Sequence, residues 1–260
     1  VYGPEDTTIG PDGVLYTGTQ DGWIVRVHPD DTVEHWLETG GRPLGMVFDS
    51  NGNLIVADAW KGLLSITPEG DITVLTREAA GTPFRFTDDV VIAPDGRIYF
   101  TDASSRFQQP DYVLDLLEMR PHGRLLRYNP KTRKTEVLLG NLHFANGVAV
   151  SPQGDYVLVN ETWKYRIPRY WLGGPKAVAY PPLPQATDAR GRVAGGGGAR
   201  GGVVSGTWHA GPGWWICRVM TCPRPFPGSL TRRSGRTAPH HRFSAARDPV
   251  DQTVAPGSAR

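Results

Sequence analysis

Three oxygen-bearing side chains stand at the same distance from a turn. Glu5, Asp88 and Asn146 each lie eight residues before a turn glycine, namely Gly13, Gly96 and Gly154. Equal offsets from equivalent turns mean equivalent structural positions, so the three converge wherever a repeat brings its units together. Two carboxylates and an amide repel or waste their lone pairs unless a cation sits between them, and a hard cation, calcium before others, takes such ligands. Taken singly, each has a plain reading: Glu5 pairs with Asp6 in a loop, Asp88 opens an acidic step with Asp89, and Asn146-Gly147 is a common turn dipeptide. The remaining unit carries Leu44 at this offset and cannot ligate. Six residues after the turn glycines come Asp58, Asp102 and Asn160. They are placed either to form an outer polar ring around a metal or to tie unit ends together through backbone amides. His143, three residues before Asn146, reads either as an exposed loop histidine or as the candidate general base, since a neutral imidazole takes a proton near pH 7. Trp23, Trp36, Trp60 and Trp163 read as packing between blades, with a place in a pocket lining as the alternative for Trp60 and Trp163.

The elements that must position these residues repeat. Residues 9–16, 47–56, 90–100 and 148–159 each read as strand, turn, strand, centred on Asp12-Gly13, Asn51-Gly52, Asp95-Gly96 and Gln153-Gly154. Glycine at the turn accepts positive φ, and flanking β-branched and aromatic residues favour strands. The turn glycines are 39, 44 and 58 residues apart, a spacing of propeller blades. Second hairpins at Asp21-Gly22, Lys61-Gly62 and His122-Gly123 complete four strands per unit. The predicted fold is therefore all-β, a propeller with four recognisable blades in residues 1–176. An insertion at 106–120 places Tyr112, Val113, Leu116 and Leu117 at helical spacing, which predicts a short helix or lid.

The chain has 260 residues and a net charge of +2, and that small number conceals an asymmetry. Residues 1–176 hold 17 basic and 23 acidic side chains; residues 177–260 hold 11 basic, all Arg, and 3 acidic, with no Lys, Glu or Asn but 13 Gly and 10 Pro. Such a segment buries little core and reads as a low-complexity, disordered tail that does not fit the fold. The exchange of A-rich for GC-rich codons after Lys176 reads as a shift of reading frame. The rival reading is a basic arm for nucleic acid or an acidic surface; without it no nucleic-acid partner is expected. Cys217 and Cys222, with His209, His240 and His241, match no compact zinc spacing. No apolar run reaches membrane-span length and no signal peptide is visible, so the chain reads as soluble, without an anchor, and its start at Val1 as cut or processed. Nucleotide and serine-nucleophile fingerprints are missing, and Ser104-Ser105 reads as loop.

A family likeness is carried by Gly123-Arg-Leu-Leu-Arg-Tyr-Asn-Pro-Lys-Thr, Phe144-Ala-Asn-Gly-Val-Ala-Val-Ser-Pro, Val159-Asn-Glu-Thr-Trp and the stretch from Arg166 to Gly174-Pro-Lys. Together with Gly3-Pro-Glu5 and Asp21-Gly22, these resemble strictosidine synthase-like proteins, in the branch of adipocyte plasma membrane-associated protein. Paraoxonases, gluconolactonases and senescence marker protein 30 are more remote. The resemblance implies a six-bladed propeller and, in the hydrolytic relatives, a channel calcium acting on lactones or aryl esters, with a small-molecule substrate. It implies Glu5 and Asn146 as ligands, with Asp88 where the relatives carry Asn before the acid now at Asp89. Leu44-Gly45 stands where paraoxonases have His-Gly. Alternatives are amine–aldehyde condensation of the strictosidine synthase kind, a non-catalytic binding propeller, or an inactive truncated product. The further acidic ligand and catalytic Glu of the family are not identifiable after Lys176.

Overall fold

The computed structural model describes residues 1–173 and two short paired strands, His209–Gly211 and Trp214–Ile216. The rest of 177–260, with Cys217, Cys222, His240 and His241, lies outside the described residues.

Four antiparallel sheets follow one another along the chain. The first holds β1 (Thr7–Ile9), β2 (Leu15–Gly18), β3 (Trp23–Val27) and β4 (Val33–Glu38). The second holds β5 (Pro43–Phe48), β6 (Leu54–Asp58), β7 (Gly62–Ile66) and β8 (Ile72–Thr76). A small hairpin, β9 (Glu78–Ala79) and β10 (Thr82–Pro83), precedes the third sheet. That sheet is built of β11 (Thr87–Ile92), β12 (Ile98–Asp102), β13 (Gly123–Asn129) and β14 (Lys134–Leu142). The fourth has three strands among the described residues: β15 (Ala145–Val150), β16 (Tyr156–Glu161) and β17 (Arg169–Trp171). This is propeller architecture, each sheet a blade. The turn glycines at 13, 52, 96 and 154 all adopt positive φ, as the sequence required.

The strand period of two decides what lies between blades. Leu54 and Val56 of β6 pack toward Tyr16 and Ile24 of the first blade, whereas the alternating Ile55 and Ala57 pack toward Phe100 and Leu126 of the third. Tyr99 and Leu125, offset by one from Phe100 and Leu126, then meet Val157 and Val159 of the fourth. Inner strands are apolar on both faces for this reason.

The first strand of three blades is interrupted at equivalent places. Pairing shifts between Pro43 and Met46, between Thr87 and Val90, and between Ala145 and Val148. Each bulge frees two residues from the ladder and re-aims their side chains. In the freed pair 88–89, Asp89 reaches across to the next blade, where its Oδ2 accepts the Val148 N–H at 2.7 Å. Asp6 does the same for the Met46 N–H at 3.1 Å. Gly45 makes room for this device: a Cβ there would lie 2.3 Å from Asp89 Oδ1 and 2.6 Å from Asp89 Cα. Gly45→Ala is accordingly expected to destabilise the chain by about 1–3 kcal/mol, as overpacking against backbone does. Urea unfolding of the two proteins reads this directly, and an unchanged midpoint would refute the close fit.

The 106–120 insertion forms a short 3₁₀ turn, Gln109–Asp111, and helix α1, Tyr112–Glu118. The periodicity located the helix, but its buried face differs from the apolar one. Asp115 is fully buried, while Val113, Leu114 and Leu117 are exposed, Leu117 at 74%. A polar anchor fixes the helix: the Trp163 indole Nε1–H donates to Asp115 Oδ1 at 2.9 Å.

Candidate functional site

A cavity of about 590 Å³, counting its solvent-open mouth, lies where these blades bring their first strands together. Its polar lining includes Glu5, just ahead of β1, Asp88 in the bulge of β11 and Asn146 in the bulge of β15. The three side chains singled out by their offset therefore face one space. Leu44, at the same offset in the second blade, lines it too. Phe86 and Phe144 meet edge to face at 5.3 Å, and Phe144 lies 4.5 Å from Trp163, forming an aromatic wall. Gln109 and Tyr112 of the insertion contribute the remaining side.

The electrostatics are strained. Asp88 is 5% exposed, and its Oδ2 has no hydrogen-bond partner among the described residues. Burial, then the charges of Glu5 and Asp89, push its carboxyl well above the usual range, and Arg42 only partly offsets them. The Glu5 carboxyl is pushed up to about 8 by burial and by Asp6 and Asp89. Arg42, 1% exposed, lines the cavity and donates from Nη2 to the Gly3 carbonyl at 3.0 Å. Nothing in the local sequence marks Arg42; only the fold brings it beside the acids. No group of three His, Cys, Asp or Glu side chains suited to a metal occurs among the described residues. The converging set is two carboxylates and an amide. An orphaned buried carboxylate oxygen beside a second acid and an amide oxygen fits a hard divalent cation.

The returning strands differ from expectation in one blade. Asp58 Oδ1 accepts the Arg42, Trp60 and Lys61 N–H groups at 2.9–3.0 Å. Asp102 Oδ1 accepts the Phe86 N–H at 3.0 Å, and its other oxygen takes the Arg124 guanidinium. Both tie blade ends. In the fourth blade that role belongs to Glu161, which accepts the His143 N–H at 2.9 Å, and not to Asn160. The cause is one extra turn residue: the turn closes from Ser151 to Tyr156, against Ala93 to Arg97 in the third blade. Glu161 thereby pairs with Ala145 as Asp102 pairs with Thr87, and Asn160 faces the other side of β16. His143 is not among the residues lining the cavity. Burial and the nearby Lys164 lower its pKa, and its Nδ1 has no partner among the described residues. Trp163 lines the cavity, whereas Trp60 is half exposed and does not.

Comparison with known proteins bears on this arrangement. The strictosidine synthase family model matches residues 88–175, and the N-terminal model of strictosidine synthase-like proteins matches residues 1–27. Strictosidine synthase-like protein 4 of Arabidopsis thaliana is 46% identical over 176 residues, 65% of this chain and 48% of its own length. The chain belongs to the strictosidine synthase-like family. Adipocyte plasma membrane-associated protein of Rattus norvegicus is 39% identical over 189 residues, 66% of this chain and 50% of its own length. The chain thus spans about half the length of the curated relatives it matches. Among solved structures, a gluconolactonase of Xanthomonas campestris aligns with a TM-score of 0.59 at 18% identity, covering 85% of this chain and 77% of that one. A putative gluconolactonase aligns at 0.58 and 20% identity, covering 86% and 79%. At such identities the likeness is one of fold. No helix among the described residues is long and apolar enough to cross a membrane.

Proposed function

We propose that this strictosidine synthase-like chain hydrolyses a lactone or aryl ester in the cavity, with calcium held by Glu5, Asp88 and Asn146. The observation that carries the reading is the Asp88 carboxylate, buried with one oxygen facing no donor among the described residues and beside a second acid. Calcium, when bound there, supplies Lewis-acid polarisation of a carbonyl and of water. The chain's own residues supply the rest. Leu44, Phe86, Phe144 and Trp163 offer an apolar wall that takes the body of the substrate and excludes bulk water. Glu5, raised to about 8 by burial and its acidic neighbours in the metal-free cavity, would give up that proton to hold the cation. Arg42 keeps a fixed positive charge beside both acids. The gluconolactonase fold neighbours accord with this class of substrate.

The test is the hydrolysis of aryl esters and lactones by the 260-residue chain, with calcium and after chelation. Chelation is expected to remove the activity, and Glu5→Gln to lower kcat/KM by about 100-fold, on the scale of losing one charged group that acts on the reacting centre. Hydrolysis that persists after chelation at the same rate overturns the reading.

A further inference from the structure

The cavity has a second polar feature, carried by the insertion and by the residue that follows β16. Gln109 is 2% exposed, lines the cavity, and its Oε1 has no hydrogen-bond partner among the described residues. Thr162, buried and lining the same cavity, has an Oγ1 in the same condition. Native structures rarely leave buried polar atoms unmet, and two in one cavity point to a ligand that meets them.

Neither side chain is loosely placed. The insertion that carries Gln109 is pinned at its start, where Ser104 Oγ accepts the Phe107 N–H at 3.0 Å, and in its helix, where Asp115 takes the Trp163 indole N–H. Thr162 is fixed by its own N–H, which donates to the Phe144 carbonyl at 3.0 Å. The backbone that carries each unmet atom is therefore held before any ligand arrives. An amide oxygen accepts only, whereas a threonine hydroxyl both donates and accepts. A ligand hydroxyl meets both at once, donating to the amide oxygen and accepting from the threonine. Beside it stand the aromatic rings of Phe86, Phe144 and Trp163, suited to a flat or alicyclic ring.

We propose that Gln109 and Thr162 form a recognition subsite for a hydroxyl carried on the ring of the substrate. This rests on the reading of the cavity as a substrate site, and names the substrate more narrowly: a ring-hydroxylated lactone or aryl ester.

Binding, measured without turnover, separates the two ideas. Isothermal titration of the 260-residue chain under chelation uses the benzo-fused lactone dihydrocoumarin and its ring-hydroxylated derivatives, which are isomers of one another. At least one isomer is expected to bind about tenfold tighter than the parent, the worth of one well-made hydrogen bond. Gln109→Leu and Thr162→Val are each expected to reduce that preference to within about threefold, while Thr162→Ser, which keeps the hydroxyl, retains it. Thermal midpoints of the variants establish that they fold. The subsite is overturned if no isomer binds better than the parent, if none binds, or if the preference survives both substitutions. A chain that prefers the hydroxylated ring yet leaves it intact with calcium present keeps the subsite and loses the hydrolase. Equal hydrolysis of parent and hydroxylated lactones does the reverse.

Discussion

Arg124→Met is expected to cost the fold about 3–5 kcal/mol, a fall of roughly 10 °C in the thermal midpoint. Asp102 is fully buried, and Arg124 meets its Oδ2 through both Nε, at 3.1 Å, and Nη2, at 2.5 Å. The same guanidinium donates to the carbonyls of Thr82 at 3.3 Å and Pro83 at 3.1 Å, clasping the β9–β10 hairpin to the third blade. Methionine fills much of the volume but leaves a buried carboxylate without its counter-charge. Burial already raises the Asp102 pKa, and Arg124 with the Phe86 and Arg85 amides opposes that rise. Without Arg124 the folded-state pKa climbs further above the unfolded one. The folded variant then binds a proton that the unfolded chain does not, across the window between the two values. Stability in that window rises as pH falls, so the deficit against the parent chain shrinks toward acid and is fullest at neutral and alkaline pH. Denaturant midpoints at several pH values check both parts. A loss under about 1 kcal/mol, or a deficit that grows toward acid, would show the pair to act as a solvated one.

Those residues also show how far the sequence reached. The offset of Glu5, Asp88 and Asn146 was legible because it runs along one strand from a turn fixed by glycine, with nothing of variable length between. The return offset crossed the turn itself, and a single inserted residue in the fourth blade moved the tying role from Asn160 to Glu161. The bulges that aim Asp88 and Asn146 have no local signature of their own, since Asp88-Asp89 reads as an acidic step and Asn146-Gly147 as a common turn dipeptide. Arg42 and Gln109 are placed by tertiary contacts alone. The α1 periodicity gave the helix but no inner face, which is set by the buried Asp115 hydrogen-bonded to an indole while Val113, Leu116 and Leu117 stay exposed.

Asp88→Asn is expected to do two opposite things, and the pair discriminates a binding carboxylate from a structural one. Without calcium, at a pH high enough to ionise the Asp88 carboxyl, the variant should be more stable than the parent chain, by about 1–2 kcal/mol, because it removes a charge that burial and two neighbouring carboxylates disfavour. Asparagine has nearly the same shape, and its amide can donate toward Glu5, which a carboxylate cannot. With calcium the order should reverse. The parent chain gains about 2.7 kcal/mol when calcium stands at 100 times its dissociation constant, and the variant, short of a charged ligand, gains little. Calorimetric scans of both proteins across a calcium series, at fixed pH and ionic strength, read the two effects separately. If Asp88→Asn destabilises the calcium-free chain while the calcium-induced shift survives, Asp88 is a structural acid and the metal lies elsewhere. Stabilisation without calcium, joined to loss of the shift, is the outcome that only a strained, cation-accepting carboxylate produces, since a side chain retained for packing has no reason to be disfavoured in its resting state.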